Sequence, residues 1–396
     1  MNKEKNILVV SNGHGEDIIA AKLIETILKQ ESNHRLNFTV MPIVGEGNQF
    51  NSLPVEKIGP EVKLPSGGFA RNSVQNFFKD VKAGLLGDTF QQIKSLMQRR
   101  KKDEISIVVG DIYILLLTGL FKGGNIIFFP TAKSEYIETH YKIEKFIMKR
   151  YADLVLPRDE KTRQDLADSG LSTAFYGNLM MDCFEINNID FKLDDSKTKI
   201  GILPGSREEA YENMLDFMHV IEELEELTEQ NFEFLTAVAG NFSLPKLTDK
   251  VQASGWQIND LHGDYRRLEL ITPSHRNRIT IIYHGFGDVL DQAEMFLGMA
   301  GTANEQAAGM GKPVIIFPGT GAQFDYEFAA DQKRLLGEGV KFVERDFKNA
   351  AYALLELLED DKEYNQRSLA GKNRMGDRGA TEKTAKRILQ YLEKGD

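Results

Sequence analysis

Short apolar runs alternate with amphipathic stretches along almost all of this 396-residue chain. Runs at 6–10, 36–42, 105–109, 125–129 and 154–156 form a first series. Runs at 199–203, 232–238, 279–283, 295–300 and 314–317 form a second. Strand-length runs separated by helical stretches predict an α/β class with doubly wound parallel sheets, because parallel neighbours need a crossover, usually a helix. Two series, at about 100–200 residues per domain, predict two Rossmann-like halves with a cleft between them. The first is expected over 1–186 and the second over 197–379. The polar, acidic stretch 187–199 reads as a linker. The helical tail 380–396 has no strand partner of its own and is expected to pack back on the first half.

Hydrophobic residues make up 41% of the chain, enough for two cores. A net charge of −10 argues against bulk binding to nucleic acid. The single cysteine, Cys183, excludes an intrachain disulfide and any cysteine-based metal cluster, and it suits a reducing compartment. Met1-Asn2-Lys3-Glu4-Lys5 leads directly into the first strand with no signal-peptide pattern. The longest apolar run, 112–121, is too short to span a bilayer. A soluble, cytoplasmic protein is expected, with oligomeric state left open. One segment opposes the global charge. Residues 61–102 hold nine Lys/Arg and three Asp/Glu, a local charge of +6, among apolar side chains such as Phe69, Phe77, Phe78 and Phe90. A basic amphipathic segment suits an anionic membrane surface, and equally a helical pair with its apolar face on the core.

Four motifs follow strand-like runs. In open α/β sheets the ligand-binding edge lies at the carboxyl ends of the strands. Gly301-Thr302-Ala303-Asn304-Glu305-Gln306-Ala307-Ala308-Gly309-Met310-Gly311-Lys312-Pro313 reads as a glycine turn and a short helix between two strands. Its helix N-terminus offers unpaired amides and a positive dipole end to an anion such as a phosphate. Glu305 has the acceptors for a ribose diol, or is a solvated helix carboxylate. Gly319-Thr320-Gly321-Ala322-Gln323-Phe324-Asp325 follows the next strand, and Gln323 offers donor and acceptor to a sugar hydroxyl.

Leu203-Pro204-Gly205-Ser206-Arg207 places an arginine and turn amides where they would neutralise a phosphate leaving group; an Arg–Glu helix pair is the plainer reading. Ser11-Asn12-Gly13-His14-Gly15-Glu16-Asp17 opens the first helix with glycines that allow close backbone approach. Gly110-Asp111 ends another strand. Asp111 precedes an apolar helix, so it is a candidate general base through partial desolvation and also the natural N-cap. No H-x-x-x-H, paired Cys/His or D-x-D cluster stands in a suitable setting, so no metal is expected. Neither a G-x-S-x-G elbow nor a Walker loop occurs.

These motifs, with Tyr176-Gly177-Asn178 and Asp182, follow the order of the lipid-A-disaccharide synthase family of GT-B glycosyltransferases. The chain resembles that family, and most closely its lipid-A-disaccharide synthase-related group. The departures lie in the first half. The family's Gly-Glu-x-Ser-Gly-Asp turn is here Asn12 to Asp17, with a histidine resembling the lipid-II-forming N-acetylglucosaminyltransferase. Its Asp-x-Pro-Asp-Phe is here Asp111-Ile112-Tyr113-Ile114-Leu115, and its Trp-Ala-Trp region is replaced around residues 131–136.

The resemblance implies a UDP-sugar bound mainly by the second half and a lipid or lipid-linked acceptor bound by the first. Gly205, Ser206, Arg207, Gly301, Thr302, Ala303 and Asn304 would line the diphosphate. Glu305 would hold the ribose, Gly321 and Gln323 the donor sugar, and Gly285 with Phe286 the uracil. Asn12, Gly13, Gly15 and Glu16 would meet the acceptor. Asp111, or failing that His14, would take the acceptor's proton in a metal-independent, inverting transfer. A UDP-sugar 2-epimerase on a related fold, or a non-catalytic UDP-sugar-binding protein at a membrane, are the alternative readings.

Overall fold

The structure, a computed structural model, describes residues 4–32, 34–60, 85–100, 102–238, 242–261, 267–321 and 323–394. The chain forms two compact units, Met1–Cys183 with Arg378–Asp396, and Phe184–Asp377. The stretch 187–199 belongs to the second unit. Ile189 and Phe191 are buried, and the Asp288 carboxylate accepts hydrogen bonds from the Asn187 and Ile189 amides, both at 2.9 Å.

The first unit is built on β1 (Glu4–Ser11), β2 (Arg35–Pro42), β3 (Val55–Lys57), β4 (Ile105–Gly110), β5 (Asn125–Pro130) and β6 (Leu154–Val155). Its helices are α1 (His14–Lys29), α2 (Leu85–Gln98), α3 (Ile112–Phe121), α4 (Lys142–Tyr151) and α5 (Glu160–Asp168), with the terminal helix Ala380–Lys394. The sheet order is β3-β2-β1-β4-β5-β6, and every pairing is parallel. Side chains alternate across a strand. Ile7 and Val9 of β1 therefore join one core with Leu23, Ile27 and Ile388, while Leu8 and Val10 join another with Leu96, Ile114, Met148 and Leu166. Burial on both faces is why these strands read as unbroken apolar runs. α1 and the terminal helix cover one face; α2, α3, α4 and α5 cover the other.

The terminal helix packs on the first unit as expected, and the structure shows its anchor. The buried Asp182 carboxylate accepts from the Gly379 and Thr381 amides, both at 2.7 Å. These are donors that a helix start leaves unpaired. Asp182→Ala is expected to cost about 1–3 kcal/mol of stability. A denaturant melt checks this; an unchanged midpoint would show that the anchor contributes nothing.

The second unit contains β7 (Thr198–Leu203), β8 (Phe232–Val238), β9 (Gln257–Leu261), β10 (Arg267–Ile271), β11 (Arg278–Tyr283), β12 (Met295–Gly298), β13 (Val314–Ile316) and β14 (Val340–Phe342). Its helices are α6 (Ala210–Leu227), α7 (Leu244–Ala253), α8 (Phe286–Gln292), α9 (Thr302–Gly309), α10 (Tyr326–Leu336), α11 (Phe347–Glu359) and α12 (Asp361–Met375). The order is β14-β13-β12-β7-β8-β11-β10-β9. The sheet is parallel except at one edge, where β10 runs antiparallel to both β9 and β11. That ribbon departs from the purely parallel expectation. In β10, buried Leu268 and Leu270 flank the partly exposed Glu269, an alternation rather than a continuous apolar run.

Both sheets reverse their winding at one place. β1 lies between β2 and β4 in the first, and β7 lies between β8 and β12 in the second. Crevices beyond the carboxyl ends of strands at such reversals are the ligand sites of open α/β sheets. Among the described residues, no helix is long and apolar enough to cross a membrane.

Candidate functional site

In the second unit, the loops after β7, β12 and β13 meet beside this reversal. The Met299 amide continues the pairing past the strand end, donating to the Leu203 carbonyl at 2.9 Å. Gly205 turns with φ +96°, and a Cβ there would lie 3.4 Å from the Met299 carbonyl oxygen, so a side chain would be strained at this position. Asn213, buried on α6, donates from Nδ2 to the Pro204 carbonyl at 2.9 Å. The third loop is tied to the first through Glu209, whose carboxylate accepts from the Gln323 amide at 3.1 Å.

α9 begins among these loops. Its N-cap is Gly301, and no side chain caps it. Its first-turn amides have no side-chain cap, and the acid of that turn is the buried Glu305. Ser206, Arg207, Thr302 and Gln323 are exposed on these loops and the helix start, and Phe328 packs its ring over Gly301. Backbone amides of this kind can hold an anion, and Arg207 stands on the adjoining loop after β7.

Two residues expected in the same wall sit deeper. Glu305 is only 7% exposed. Asn304 is fully buried against Gly298, and neither polar atom of its side chain has a hydrogen-bond partner among the described residues. Lys312 turns to the far end of α8, donating to the Asp291 carbonyl at 3.0 Å. Gly285 and Phe286 begin α8 at the tip of β11, with Phe286 edge-on to Phe184.

In the first unit, the turns after β1 and β4 are joined. The Asn12 amide donates to the Val109 carbonyl at 3.1 Å, and Asn12 Nδ2 donates to Asp111 Oδ2 at 3.3 Å. Gly110 has φ +150°, and a Cβ there would lie 2.7 Å from the Asn12 Cβ, so the close approach of the two turns needs glycine. Asp111 is the N-cap of α3: Oδ1 accepts from the Tyr113 amide at 2.9 Å and the Ile114 amide at 3.2 Å. The cap engages Oδ1, while Oδ2 accepts from Asn12, so capping does not use both oxygens. Gly13 is the N-cap of α1 without a side-chain cap, and Gly15 lies in the first turn. His14 opens that helix, and its side chain lies outside the described residues.

Thr131, at the tip of β5, was not singled out in the sequence. Its Oγ1 donates to Glu16 Oε1 at 3.2 Å, and Arg158 Nη1 donates to its carbonyl at 3.2 Å. Burial pushes the Glu16 carboxyl above its ordinary value; the charges of Asp111 and Asp17 add to this, and the hydrogen bonds oppose it. A carboxyl raised in the folded state binds its proton more tightly there than in the unfolded chain. Stability is then lost as pH rises from about 4.5 through the folded value. Glu16→Gln is expected to flatten that decline, with the variant gaining on the wild type in thermal melts above pH 5. Parallel melting-temperature profiles would contradict it.

Residues 61–84 and 101 of the basic segment lie outside the described residues. Its described part is mainly α2, which buries Leu96 and exposes Phe90 and Met97. Among the described residues, no three His, Cys, Asp or Glu side chains group closely enough to hold a metal ion.

No protein-family model matches the sequence, and no curated protein matches it. Solved structures do. S. aureus MnaA, solved with UDP, is 18% identical, with a TM-score of 0.61 over 98% of this chain and 97% of that one. The UDP-GlcNAc 2-epimerase of Neisseria meningitidis, solved with UDP-GlcNAc, is 15% identical, with a TM-score of 0.61 over 98% of this chain and 100% of that one. CalG4, the calicheamicin glycosyltransferase, is 13% identical, with a TM-score of 0.60 over 98% of each chain. The chain has the GT-B fold. At these identities the likeness is one of fold.

Proposed function

We propose that this chain is a UDP-sugar-dependent glycosyltransferase, cytoplasmic and peripheral to a membrane, that moves a sugar to a lipid or lipid-linked acceptor. The observation that carries the reading is the start of α9, without a side-chain cap, among the loops after β7, β12 and β13, which carry Gly205, Ser206, Arg207, Gly321 and Gln323. Backbone amides and one arginine at a sheet reversal suit a diphosphate. Solved neighbours that bind UDP or UDP-GlcNAc support this choice of anion.

In the proposed reaction the acceptor hydroxyl attacks the anomeric carbon, the bond from that carbon to the diphosphate oxygen breaks, and the configuration inverts. Asp111 Oδ2 takes the hydroxyl proton, with His14 as the other candidate base. Arg207 and the amides of Gly301, Thr302 and Ala303 receive the charge that develops on the leaving diphosphate. Glu305 holds the ribose, Gly285 and Phe286 the uracil, and Gln323 the donor sugar. Asn12, Gly13, Gly15 and Glu16 receive the acceptor. No metal takes part in the scheme, so activity should survive a chelator; loss with chelator and rescue by Mg²⁺ would overturn that element.

A thermal-shift panel of UDP, GDP and TDP with their sugar conjugates tests the donor. At a hundredfold excess over Kd, a ligand that binds only the native state adds about 2.7 kcal/mol. UDP is expected to shift the melt and GDP not; a flat response to every uridine nucleotide would remove the reading. A second reading, UDP-sugar 2-epimerase, is favoured by neighbours that carry that name. Incubation with UDP-N-acetylglucosamine alone separates the two. Epimerised sugar without acceptor supports the second and defeats the first.

A further inference from the structure

We propose that the outer face of α4, continued by the first turn of α3, is a docking surface for an anionic phospholipid bilayer. Tyr141, Lys142, Ile143, Phe146, Lys149 and Arg150 are exposed, whereas Glu144 and Met148 of the same helix are buried. At about 100° per residue, the five exposed helical positions fall within an arc of about 120°. The face a surface helix gives to water is ordinarily polar. Here Ile143 is 61% and Phe146 63% exposed, with Tyr141 at 59% beside them.

Charge selects the occupant. Lys142, Lys149 and Arg150 are the charged residues on the exposed arc of α4, on a chain whose net charge is −10. One partly exposed acid, Glu138, borders it beside Tyr141 and is paired with Lys133 at 3.0 Å. The helix's one acid, Glu144, is turned inward, where its carboxylate accepts from Lys133 Nζ and from the Tyr141 amide. Aromatic and aliphatic side chains between basic ones match the boundary of a bilayer: the apolar groups enter the headgroup layer and the cations meet lipid phosphates. A second copy of the chain fits less well, because a two-fold interface on this face would set its basic residues against their own copies.

The apolar surface extends toward the carboxylate of the first unit. α3 packs beside α4 over the same sheet face, and Tyr113 in its first turn is 46% exposed. The Tyr113 amide is held by Asp111, so the apolar surface comes within two residues of that carboxylate. A bilayer against this face would present lipid-linked hydroxyls at the edge where Asp111 lies. The surface gives a place to the membrane association proposed above, and that last step rests also on the transfer reaction; the choice of α4 rests on its exposed side chains alone. None of its residues belongs to the basic segment 61–102 expected from sequence.

Co-flotation with vesicles of phosphatidylglycerol and phosphatidylcholine, against phosphatidylcholine alone, tests the surface. The wild type is expected to float with the anionic vesicles. Ile143→Ser with Phe146→Ser should reduce the bound fraction about tenfold at every salt concentration, and Lys142→Glu with Lys149→Glu about tenfold at low salt. All four positions are exposed, so melting temperatures should not move. Wild type that fails to float, or variants that float undiminished, would overturn the proposal. So would sedimentation showing a wild-type dimer split by Phe146→Ser. UDP-dependent thermal shifts on the same proteins keep the two readings apart. Variants stabilised by UDP that no longer float leave the donor reading standing. Wild type that floats but ignores UDP removes the donor reading and leaves the docking surface in place.

Discussion

Asp111→Asn is expected to lower turnover by about 10²–10⁴-fold, the usual contribution of a positioned general base. The substitution separates the proposed role as base from the cap. Oδ1 of Asp111 caps α3 through two amides, and Oδ2 faces Asn12. Asparagine is as good an N-cap as aspartate. The variant should therefore melt within a degree or two of the wild type and still be stabilised by UDP, with the loss confined to kcat. Steady-state kinetics beside a melt reads both. Full turnover with an intact fold would remove Asp111 as the base and leave His14 as the candidate. A large drop in melting temperature would show that Asn12 and the cap depend on the charge.

Arg207→Ala is expected to lower kcat/KM by about 10²–10³-fold, the cost of losing one well-aimed donor to a developing anion. Arg207 is exposed on the loop after β7, so its truncation should leave stability nearly unchanged. Lysine at this position keeps the charge but not the planar fork, so Arg207→Lys should recover only part of the activity. An equal loss of UDP stabilisation and of kcat/KM would place the arginine in ground-state binding. Loss in kcat alone would place it in the transition state. Undiminished kcat/KM in Arg207→Ala would exclude it from the diphosphate wall.

Much of this molecule is legible in the linear chain. Central strands such as β1, β4, β5, β7 and β8 are buried on both faces, so they read as apolar runs, and the turns after them carry the glycines and polar residues of both sites. Strands β3, β9, β10 and β14 were not anticipated. β3, β9 and β14 are edge strands and β10 is the neighbour of one; all are short or polar on alternate residues, and they resemble loops in a linear reading. Glu209 was missed for a different reason. It stands within a strongly acidic helix start, and nothing local distinguishes it from Glu208, yet it alone of the two ties the Gln323 loop to the loop after β7. Thr131 was passed over as part of a replaced motif, although it supports Glu16.

The amino-acid sequence by itself determined the α/β class, the two-unit organisation and the positions of the strand-end motifs. These follow from burial periodicity and turn chemistry, which are local. Tertiary structure alone decided which distant turns meet: Asn12 with Asp111, Asp182 with the terminal helix, and Glu209 with Gln323. It also decided that α4 buries its one acid and leaves Ile143 and Phe146 outside. Helical periodicity permits either face of such a segment to turn inward. The choice is made by long-range partners, because Lys133 compensates a buried Glu144, and no local pattern encodes that partner.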